Sequence, residues 1–363
     1  MNILIEALGI HQYGGGRTAT LNLLRNLTTI DARNRYRVLL TRPEPSLLAR
    51  NLQQVILPVE NRFIARILAQ MILPVVERDC ELIHFAKNLG LMTQRPTLVT
   101  IYDLTTLIYP ELVPKTDAWY WRRIQPRSLK QARRVIAISE DTAQDVRTHF
   151  GVDPAKISVI YPSIARRFQP PTPRVVAETR QQYGIPQDYV LHVGRMDRKN
   201  NIGALIRAFE QVSYSGSLII IGQLYAKSPA QGLDALVKSL GLSGRVIFPG
   251  TLPDEALPAL YRGAQAVVMP SLHEGFGLVA AEAMACGAAL IAGRVGALPE
   301  ITAGAAMLVN EPDAAQLAEA LAKILQDPQR SEVLRNLAIE IGARYRTTED
   351  ARQTLALYEQ IAA

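Results

Sequence analysis

Two carboxylates stand eight positions apart in the stretch Met269-Pro-Ser-Leu-His-Glu-Gly-Phe-Gly-Leu-Val-Ala-Ala-Glu-Ala-Met-Ala-Cys-Gly287, as Glu274 and Glu282. The pattern predicts a strand ending at Met269, a loop, and a helix starting near Leu278. Gly275 and Gly277 flank Phe276, so the backbone of the loop is open to a closely approaching ligand. The amides of Gly277, Leu278 and Val279 at the helix start point outward with no partner of their own, which suits an anionic or hydroxyl-rich ligand. Carboxylates on either side suit hydrogen bonds from sugar hydroxyls. A plain surface glutamate in the first turns of a helix is the other reading of Glu282. Its neighbours Ala280, Ala281, Ala283 and Met284 argue against an exposed face. His273 adjoins Glu274 and can reach the same ligand.

Upstream, Val190-Leu-His-Val-Gly-Arg-Met-Asp-Arg-Lys-Asn200 puts Arg195, Arg198 and Lys199 just past the carboxyl end of a strand. Ligands bind there in open α/β sheets, and guanidinium and ammonium groups at such an edge can neutralise a diphosphate. A solvated basic loop is the bland alternative. A third candidate is Gly14-Gly15-Gly16, after the first strand and before a helix beginning near Thr18, where exposed backbone N–H groups favour phosphate. With Ala19 it satisfies G-x-G-x-x-A, but Gly14 lies well past the strand and the second strand ends in Thr41-Arg42 rather than an acidic residue. A dinucleotide site would have to be of the NADP type. No D-x-D stands at a strand end to hold a metal.

These loops need strands to hold them. Thirteen short β-branched runs recur: Ile3–Leu8, Arg37–Leu40, Val55–Leu57, Leu82–Phe85, Thr97–Tyr102, Val135–Ile138 and Ile157–Ile160, then Tyr189–Val193, Ser217–Ile221, Val246–Pro249, Ala266–Met269, Ala289–Ala292 and Ala306–Val309. Most are continuous rather than alternating, as in parallel strands covered on both faces. Helical patterns separate them, such as Thr18–Leu27, Ile202–Val212, Ala230–Leu240 and Ala314–Leu325, the last with Asp313 as its N-cap. Three prolines within Phe168–Arg174 read as a linker. The expectation is an α/β protein of two Rossmann-like domains, one over 1–170 and one over 171–345, with a closing helix over 346–363 packed back on the first. Phe63–Val76, with Arg62 and Arg66, reads as an ordinary buried helix, with an interfacial helix as the alternative.

The 363 residues are 48% hydrophobic and 20% charged, which excludes disorder and accommodates two cores. Cys80 and Cys286 are too far apart for a zinc finger or a disulfide framework and suit a reducing compartment. The start reads as a strand rather than a leader, and no apolar run reaches the length of a membrane span. A cytoplasmic protein is expected. The net charge of +7 sits in the first half, where residues 1–170 carry +9 and the remainder −2.

The segment from Glu274 to Gly287 resembles the Glu-x7-Glu signature of the retaining glycosyltransferases of family 4. Val193-Gly-Arg with Lys199-Asn200, Gly250-Thr-Leu-Pro-Asp-Glu255 with Leu260-Tyr261, Pro299-Glu300 and Leu308-Val309-Asn310 resemble the family's donor side. Gly14–Gly16, Asp103 with Pro110-Glu111, and Val135–Ser139 resemble its acceptor side. The resemblance implies the GT-B fold, two facing Rossmann-like domains with a central cleft, and transfer from a nucleotide-diphosphate sugar with retained configuration and no required metal or cofactor. It implies that Arg195 and Lys199 bind the diphosphate and steady the leaving group, with Arg198 able to take the lysine's role, that Glu274 contacts the transferred sugar, and that Glu282 holds the ribose. Gly275, Phe276, Gly277, Leu278 and Val279 would hold sugar and phosphate. Gly15 and Gly16 would lie near diphosphate or acceptor, Asp103 would serve catalysis, and Tyr102 would line the acceptor side. His84, at a strand end beside Asn88, reads from its position alone either as lining the acceptor side or, equally, as a packed, hydrogen-bonded core histidine. Tyr102 stands where the family commonly has histidine, Arg195 and Lys199 are one residue closer than usual, and Ala288-Ala289 replace a proline.

The partners expected are a GDP- or UDP-linked sugar, with GDP-mannose first, and a glycan or lipid-linked acceptor, with peripheral association at the inner membrane leaflet. Nucleic acid is excluded, because no aromatic-interleaved basic stripe accompanies the charge. A GT-B epimerase or phosphorylase is the alternative enzyme, and a non-catalytic nucleotide-sugar-binding subunit the alternative outside enzymes.

Overall fold

Continuous apolar runs form the central strands here because these are buried on both faces, whereas the strands at the sheet edges are only partly covered. The computed structural model describes residues 1–11, 14–59, 61–86, 93–112, 115–223 and 231–362; Asn88 lies outside them. The chain divides into two units, Met1–Ser163 with Thr348–Ala363, and Ile164–Thr347. The boundary falls several residues before the proline cluster. Thr172 explains why: its side chain accepts from the Val175 amide and caps a helix opening on Pro173, so the prolines introduce the second unit's first helix.

In the first unit, β1 (Asn2–Glu6), β2 (Arg35–Leu40), β3 (Leu52–Ile56), β4 (Leu82–Phe85), β5 (Thr97–Ile101), β6 (Arg134–Ala137) and β7 (Ile157–Val159) form one parallel sheet in the order β3-β2-β1-β4-β5-β6-β7. The helices between them are α1 (Gly15–Ile30), α2 (Arg62–Val76), α3 (Thr105–Ile108), α4 (Lys115–Gln131) and α5 (Glu140–Phe150). In the second unit, β8 (Tyr189–Val193), β9 (Ser217–Ile221), β10 (Val246–Gly250), β11 (Ala266–Met269), β12 (Leu290–Gly293) and β13 (Ala306–Val309) run parallel in the order β10-β9-β8-β11-β12-β13. Its helices are α6 (Pro173–Gln182), α7 (Ile202–Gln211), α8 (Gln231–Ser239), α9 (Leu257–Gly263), α10 (Leu278–Ala285), α11 (Leu298–Thr302), α12 (Ala314–Gln326) and α13 (Pro328–Ala343). The last helix, α14 (Glu349–Ala362), belongs to the first unit.

Each sheet has the doubly wound order of a Rossmann-like domain. The strand order reverses at β1/β4 and at β8/β11, so the loops after β1, β8 and β11 open at topological switch points, where α/β sheets bind ligands. The first unit has two cores. On one face α1 packs with α14, through Leu21, Leu24 and Leu27 against Ala351, Leu357, Tyr358 and Ile361. On the other, Ala69 and Leu73 of α2, Leu129 of α4 and Val146 of α5 cover Leu4, Ile83, Val99 and Val135. In the second unit Leu205, Ile206 and Phe209 of α7 pack with Leu317 and Leu321 of α12 over β8, β9 and β11.

The boundary between the two units changes the charge reading. The first unit holds 22 basic and 17 acidic residues, net +5, and the second 18 and 16, net +2. Arg166 and Arg167 fall in the second unit, and α14 brings Glu349, Asp350 and Glu359 to the first.

Candidate functional site

The loop after β8 is drawn tight against its neighbour strand. The Gly194 amide donates to the Ile221 carbonyl at 3.0 Å, and a Cβ on Gly222, whose φ is +157°, would lie 1.7 Å from the Gly194 oxygen. Asn200 closes the loop from the far end: its Nδ2 donates to the Arg195 carbonyl at 2.6 Å and to Asp197 Oδ1 at 3.0 Å. Asn201, left-handed at φ 51°, ties the start of α7 to the Pro312 carbonyl at 2.7 Å. Arg195 pairs with Asp197 at 2.9 Å, and Arg198 is exposed.

The loop between β11 and α10 is stitched to the first. The Leu272 amide donates to the Lys199 carbonyl at 2.9 Å and Ser271 Oγ donates to Asn200 Oδ1 at 3.4 Å. Above these bonds Lys199 Nζ stands 3.7 Å from Glu274 Oε2, both side chains mostly shielded from water. Glu274 is held by its backbone as well, for its carbonyl accepts from the Ala297 amide at 2.9 Å. Gly296, at φ +52°, lies so close that a Cβ there would be 2.2 Å from that oxygen.

α10 then starts on Gly277, left-handed at φ 88°, with no side-chain cap. A Cβ at Gly277 would strike Leu298 at 2.6 Å. The amides of the first turn are therefore left to a ligand. The side chains of Phe276 and Leu278 are buried, Phe276 edge-on to Tyr345 at 5.3 Å, so this segment offers backbone rather than side chains. Gly275 and His273 are buried beside it, and Val279 is half-buried. α10 is held from behind by α13, where a Cβ on Gly342 would be 2.2 Å from the Ala285 nitrogen.

Glu282 lies one helical turn deeper, buried, where the Tyr261 hydroxyl donates to its Oε2 at 3.4 Å. Burial, with the negative Asp254 as the lesser cause, pushes its carboxyl up to about 8. At neutral pH it is largely protonated. Hydroxyl donors from a ligand would favour the ionised form.

In the first unit, α1 begins at Gly15, three residues earlier than the pattern suggested, on Gly14 at φ 133° with no side-chain cap. Thr20 Oγ1 donates back to the Gly16 carbonyl at 2.7 Å, so the hydroxyl of Tyr102, 2.8 Å away, donates to Thr20. Tyr102 is thus fastened to the glycine turn, and burial holds its phenol up at about 12. Asp103 Oδ1 accepts from the Thr105 amide at 3.0 Å and shapes the start of α3. A cavity of about 240 Å³ beside the glycine turn is lined by His11, Arg17, Arg42 and Glu44, with Arg17 paired to Glu44 at 3.7 Å.

His84 does not line a ligand site. It is fully buried, hydrogen-bonded to Tyr358 at 2.7 Å and to Thr100 at 2.8 Å, and burial pushes its imidazole down to about 3. It is a neutral core residue joining β4 to α14. A histidine at a strand end shows its chemistry in the sequence but not which way it points.

The structure brings Arg195, Lys199, Glu274 and the α10 start together at one switch point, and Gly15, Gly16, Tyr102 and Asp103 into the first unit. The sequence reading quoted Asn200 and Ser271 within its motifs but gave them no role in building the loops, and it missed Gly222 and Gly296, which are recognisable only from the positive φ and close approach that the fold reveals.

The family model described as "Glycosyl transferases group 1" matches residues 175–340, and that described as "Glycosyltransferase Family 4" matches residues 13–168. The chain belongs to the family 4 glycosyltransferases. Among curated relatives of this glycosyltransferase is the O-antigen chain mannosyltransferase B of Escherichia coli, 26% identical over 72% of this chain and 70% of that protein. Another is the D-inositol 3-phosphate glycosyltransferase of Corynebacterium glutamicum, 31% identical over 68% of this chain and 61% of that one. The match thus spans about three fifths of the inositol phosphate enzyme's length. Among solved structures, the sucrose-phosphate synthase of Thermosynechococcus elongatus superposes with a TM-score of 0.81 at 24% identity over 99% of this chain and 98% of that one. Anabaena HepE in complex with UDP and glucose gives 0.79 at 20% over 99% of both. The glycosyltransferase has the GT-B type of fold, with two parallel-sheet Rossmann-like domains.

Proposed function

We propose that this chain moves a sugar, mannose first, from a nucleotide-diphosphate donor to a glycan or lipid-linked acceptor, with retention of anomeric configuration and without a metal. The observation that carries this reading is the pairing of Lys199 with Glu274 at 3.7 Å, beside Arg195 and above an uncapped helix start. Cations suited to a diphosphate beside a carboxylate suited to sugar hydroxyls support this reading. A bound diphosphate would draw Lys199 and Arg195 to its oxygens, releasing Glu274 to accept from the sugar, and the amides of Leu278 and Val279 would face its remaining charge. Glu282 would accept from the ribose. Two mannosyltransferases among the relatives support mannose, and the UDP complexes of HepE support a sugar-nucleotide donor.

In the reaction the bond from the anomeric carbon to the diphosphate oxygen breaks and the diphosphate keeps the electron pair. Arg195 and Lys199 stabilise that charge as it grows, which favours the transition state over the ground state. The acceptor oxygen attacks on the face the diphosphate leaves, and its proton passes to a departing phosphate oxygen. The first unit, with Asp103, Tyr102 and the glycine turn, is the acceptor side in this reading.

The test is turnover of GDP- and UDP-sugars with candidate acceptors in EDTA, the product anomer read by NMR. Retained configuration with EDTA present is expected. Strict metal dependence or an inverted product would overturn the mechanism. Turnover without an acceptor to a different free sugar nucleotide would favour an epimerase, and a requirement for free phosphate a phosphorylase.

A further inference from the structure

Three side chains beside the glycine turn face one another without closing. Glu44 Oε2 stands 3.7 Å from Arg17 Nη2 and 3.9 Å from His11 Nδ1, whereas a charge-assisted hydrogen bond closes to about 2.7–2.9 Å. Each group is anchored from elsewhere. The other carboxylate oxygen of Glu44, Oε1, accepts from the Ser46 hydroxyl at 2.6 Å, and the Glu44 amide donates to Gln54 Oε1 at 2.9 Å. His11 Nε2 donates to the Arg42 carbonyl at 2.8 Å. Arg17 sits in the first turn of α1, its amide donating to the Gly14 carbonyl at 3.0 Å. The space they enclose is the cavity of about 240 Å³, completed by Arg42, Pro43 and Pro45. It is smaller than the pocket of a drug-sized ligand, about 300–1,000 Å³, and suits a single sugar ring.

The lining combines two kinds of partner. The proton of His11 is committed to the Arg42 carbonyl through Nε2, so Nδ1 of the neutral ring is an acceptor that faces Glu44. Burial first, then the charges of Arg42 and Arg17, hold this imidazole below its ordinary value, so the neutral ring is the form at pH 7. Although burial opposes it, hydrogen bonds from Ser46 and the charge of Arg17 hold Glu44 below the usual carboxylate range, and it stays ionised. Two acceptors 3.9 Å apart suit hydroxyl donors, and neighbouring hydroxyls of a sugar can reach both. The donors are the guanidiniums of Arg17 and Arg42. One carboxylate faces two guanidiniums, so the lining keeps a positive charge, and the uncapped start of α1 adds to the same sign. Lys199 and Glu274 keep the same 3.7 Å spacing of cation and carboxylate in the second unit.

We propose that this cavity is a subsite for an acidic sugar of the acceptor, a sugar phosphate or a uronate. Arg17 and Arg42 take its phosphate or carboxylate, while His11 Nδ1 and Glu44 Oε2 accept from its hydroxyls. The inference rests on the reading of the first unit as the acceptor side. A neutral sugar would fill the space and leave the guanidiniums unmatched. A bare phosphate would meet the guanidiniums but be opposed by Glu44, which only a hydroxyl-bearing ligand turns into a partner.

The test is calorimetric titration of the full chain with glucuronate, glucose 6-phosphate, glucose and inorganic phosphate. At least one of the two sugar acids should bind at least about tenfold tighter than glucose and phosphate, and the better of the two names the acid. Arg42→Gln should weaken that binding about tenfold, as the loss of one charged hydrogen bond does, and Arg42→Lys should recover part of it. Lys199→Met should leave it unchanged, with circular dichroism checking that each variant folds. Binding of neither acid, glucose or phosphate binding as tightly as the acids, or an Arg42→Gln variant that binds like its parent would overturn the proposal. So would a loss in Lys199→Met alone, which would put the acid at the donor loop. Titration with UDP and GDP separates this inference from the proposed function. Nucleotide binding without acid binding would remove the subsite and keep the function, and acid binding without nucleotide binding would do the reverse.

Discussion

Gly296→Ala would displace Glu274 without touching any side chain of the site. The added Cβ would sit 2.2 Å from the Glu274 carbonyl oxygen and 3.0 Å from its nitrogen. Carbon to oxygen contacts close at about 3.3 Å, so the Glu274 backbone must retreat by about 1 Å and its bond from Ala297 must stretch or break. Displacements of that size at a reacting centre cost about a hundredfold in rate. Stability falls too. The left-handed backbone costs a non-glycine residue about 1–2 kcal/mol and the lost hydrogen bond about 1 kcal/mol, and at about 2–4 °C per kcal/mol the second unit should melt some 5–10 °C lower. Gly304→Ala is the control, left-handed at φ +86° with open space around its Cβ. It should lose about 1–2 kcal/mol and keep its turnover. Initial rates with saturating donor, set beside calorimetric melting, separate the two effects. Parental turnover in Gly296→Ala, or equal losses in both variants, would refute the link between backbone position and rate.

Donor affinity should rise with pH toward about 8, because Glu282 is largely neutral when free and a ribose favours its ionised form; calorimetric titration from pH 6 to 8.5 should show this slope and Glu282→Gln should flatten it. Lys199→Met should lower turnover by about a hundredfold while shifting donor KM less, since its charge is needed most as the diphosphate departs; steady-state kinetics decides. His84→Ala should destabilise the first unit by about 2–4 kcal/mol, leaving a cavity and unpaired hydroxyls on Tyr358 and Thr100, with donor kinetics unchanged. The neutral imidazole also makes that unit acid-labile. Its folded value near 3 lies below the ordinary 6.5, so the unfolded chain binds more protons, and stability should be lost as pH falls from 6.5 toward 3, as urea titrations at several pH values would show.

Most of the thirteen strands were legible because parallel strands buried on both faces read as unbroken apolar runs; the edge strand Leu52–Ile56, half exposed and carrying Gln53 and Gln54, showed only its end at Val55. The site was legible where glycine and charge cluster after a strand, as at Arg195–Lys199 and Glu274–Gly277. What sequence does not carry is direction. His84 looks the same whether it faces solvent or Tyr358, and the apolar run of α2 reads as core because nothing in it marks which side the sheet covers. Proximity is equally hidden: Gly296 is distant in sequence from Glu274, and only the turn before α11 brings them together.

The return of α14 to the first unit bears on how the chain is made. That unit's α1 face is finished by Ala351, Tyr358 and Ile361, which are synthesised only after all 184 residues of the second unit. At translation rates of about 5–20 residues per second, the seven-stranded sheet must wait roughly 10–40 s for its last helix while the inserted unit can already close. Folding order would then run opposite to chain order, leaving the apolar groove along α1 as a transient hazard that a chaperone would meet on the nascent chain.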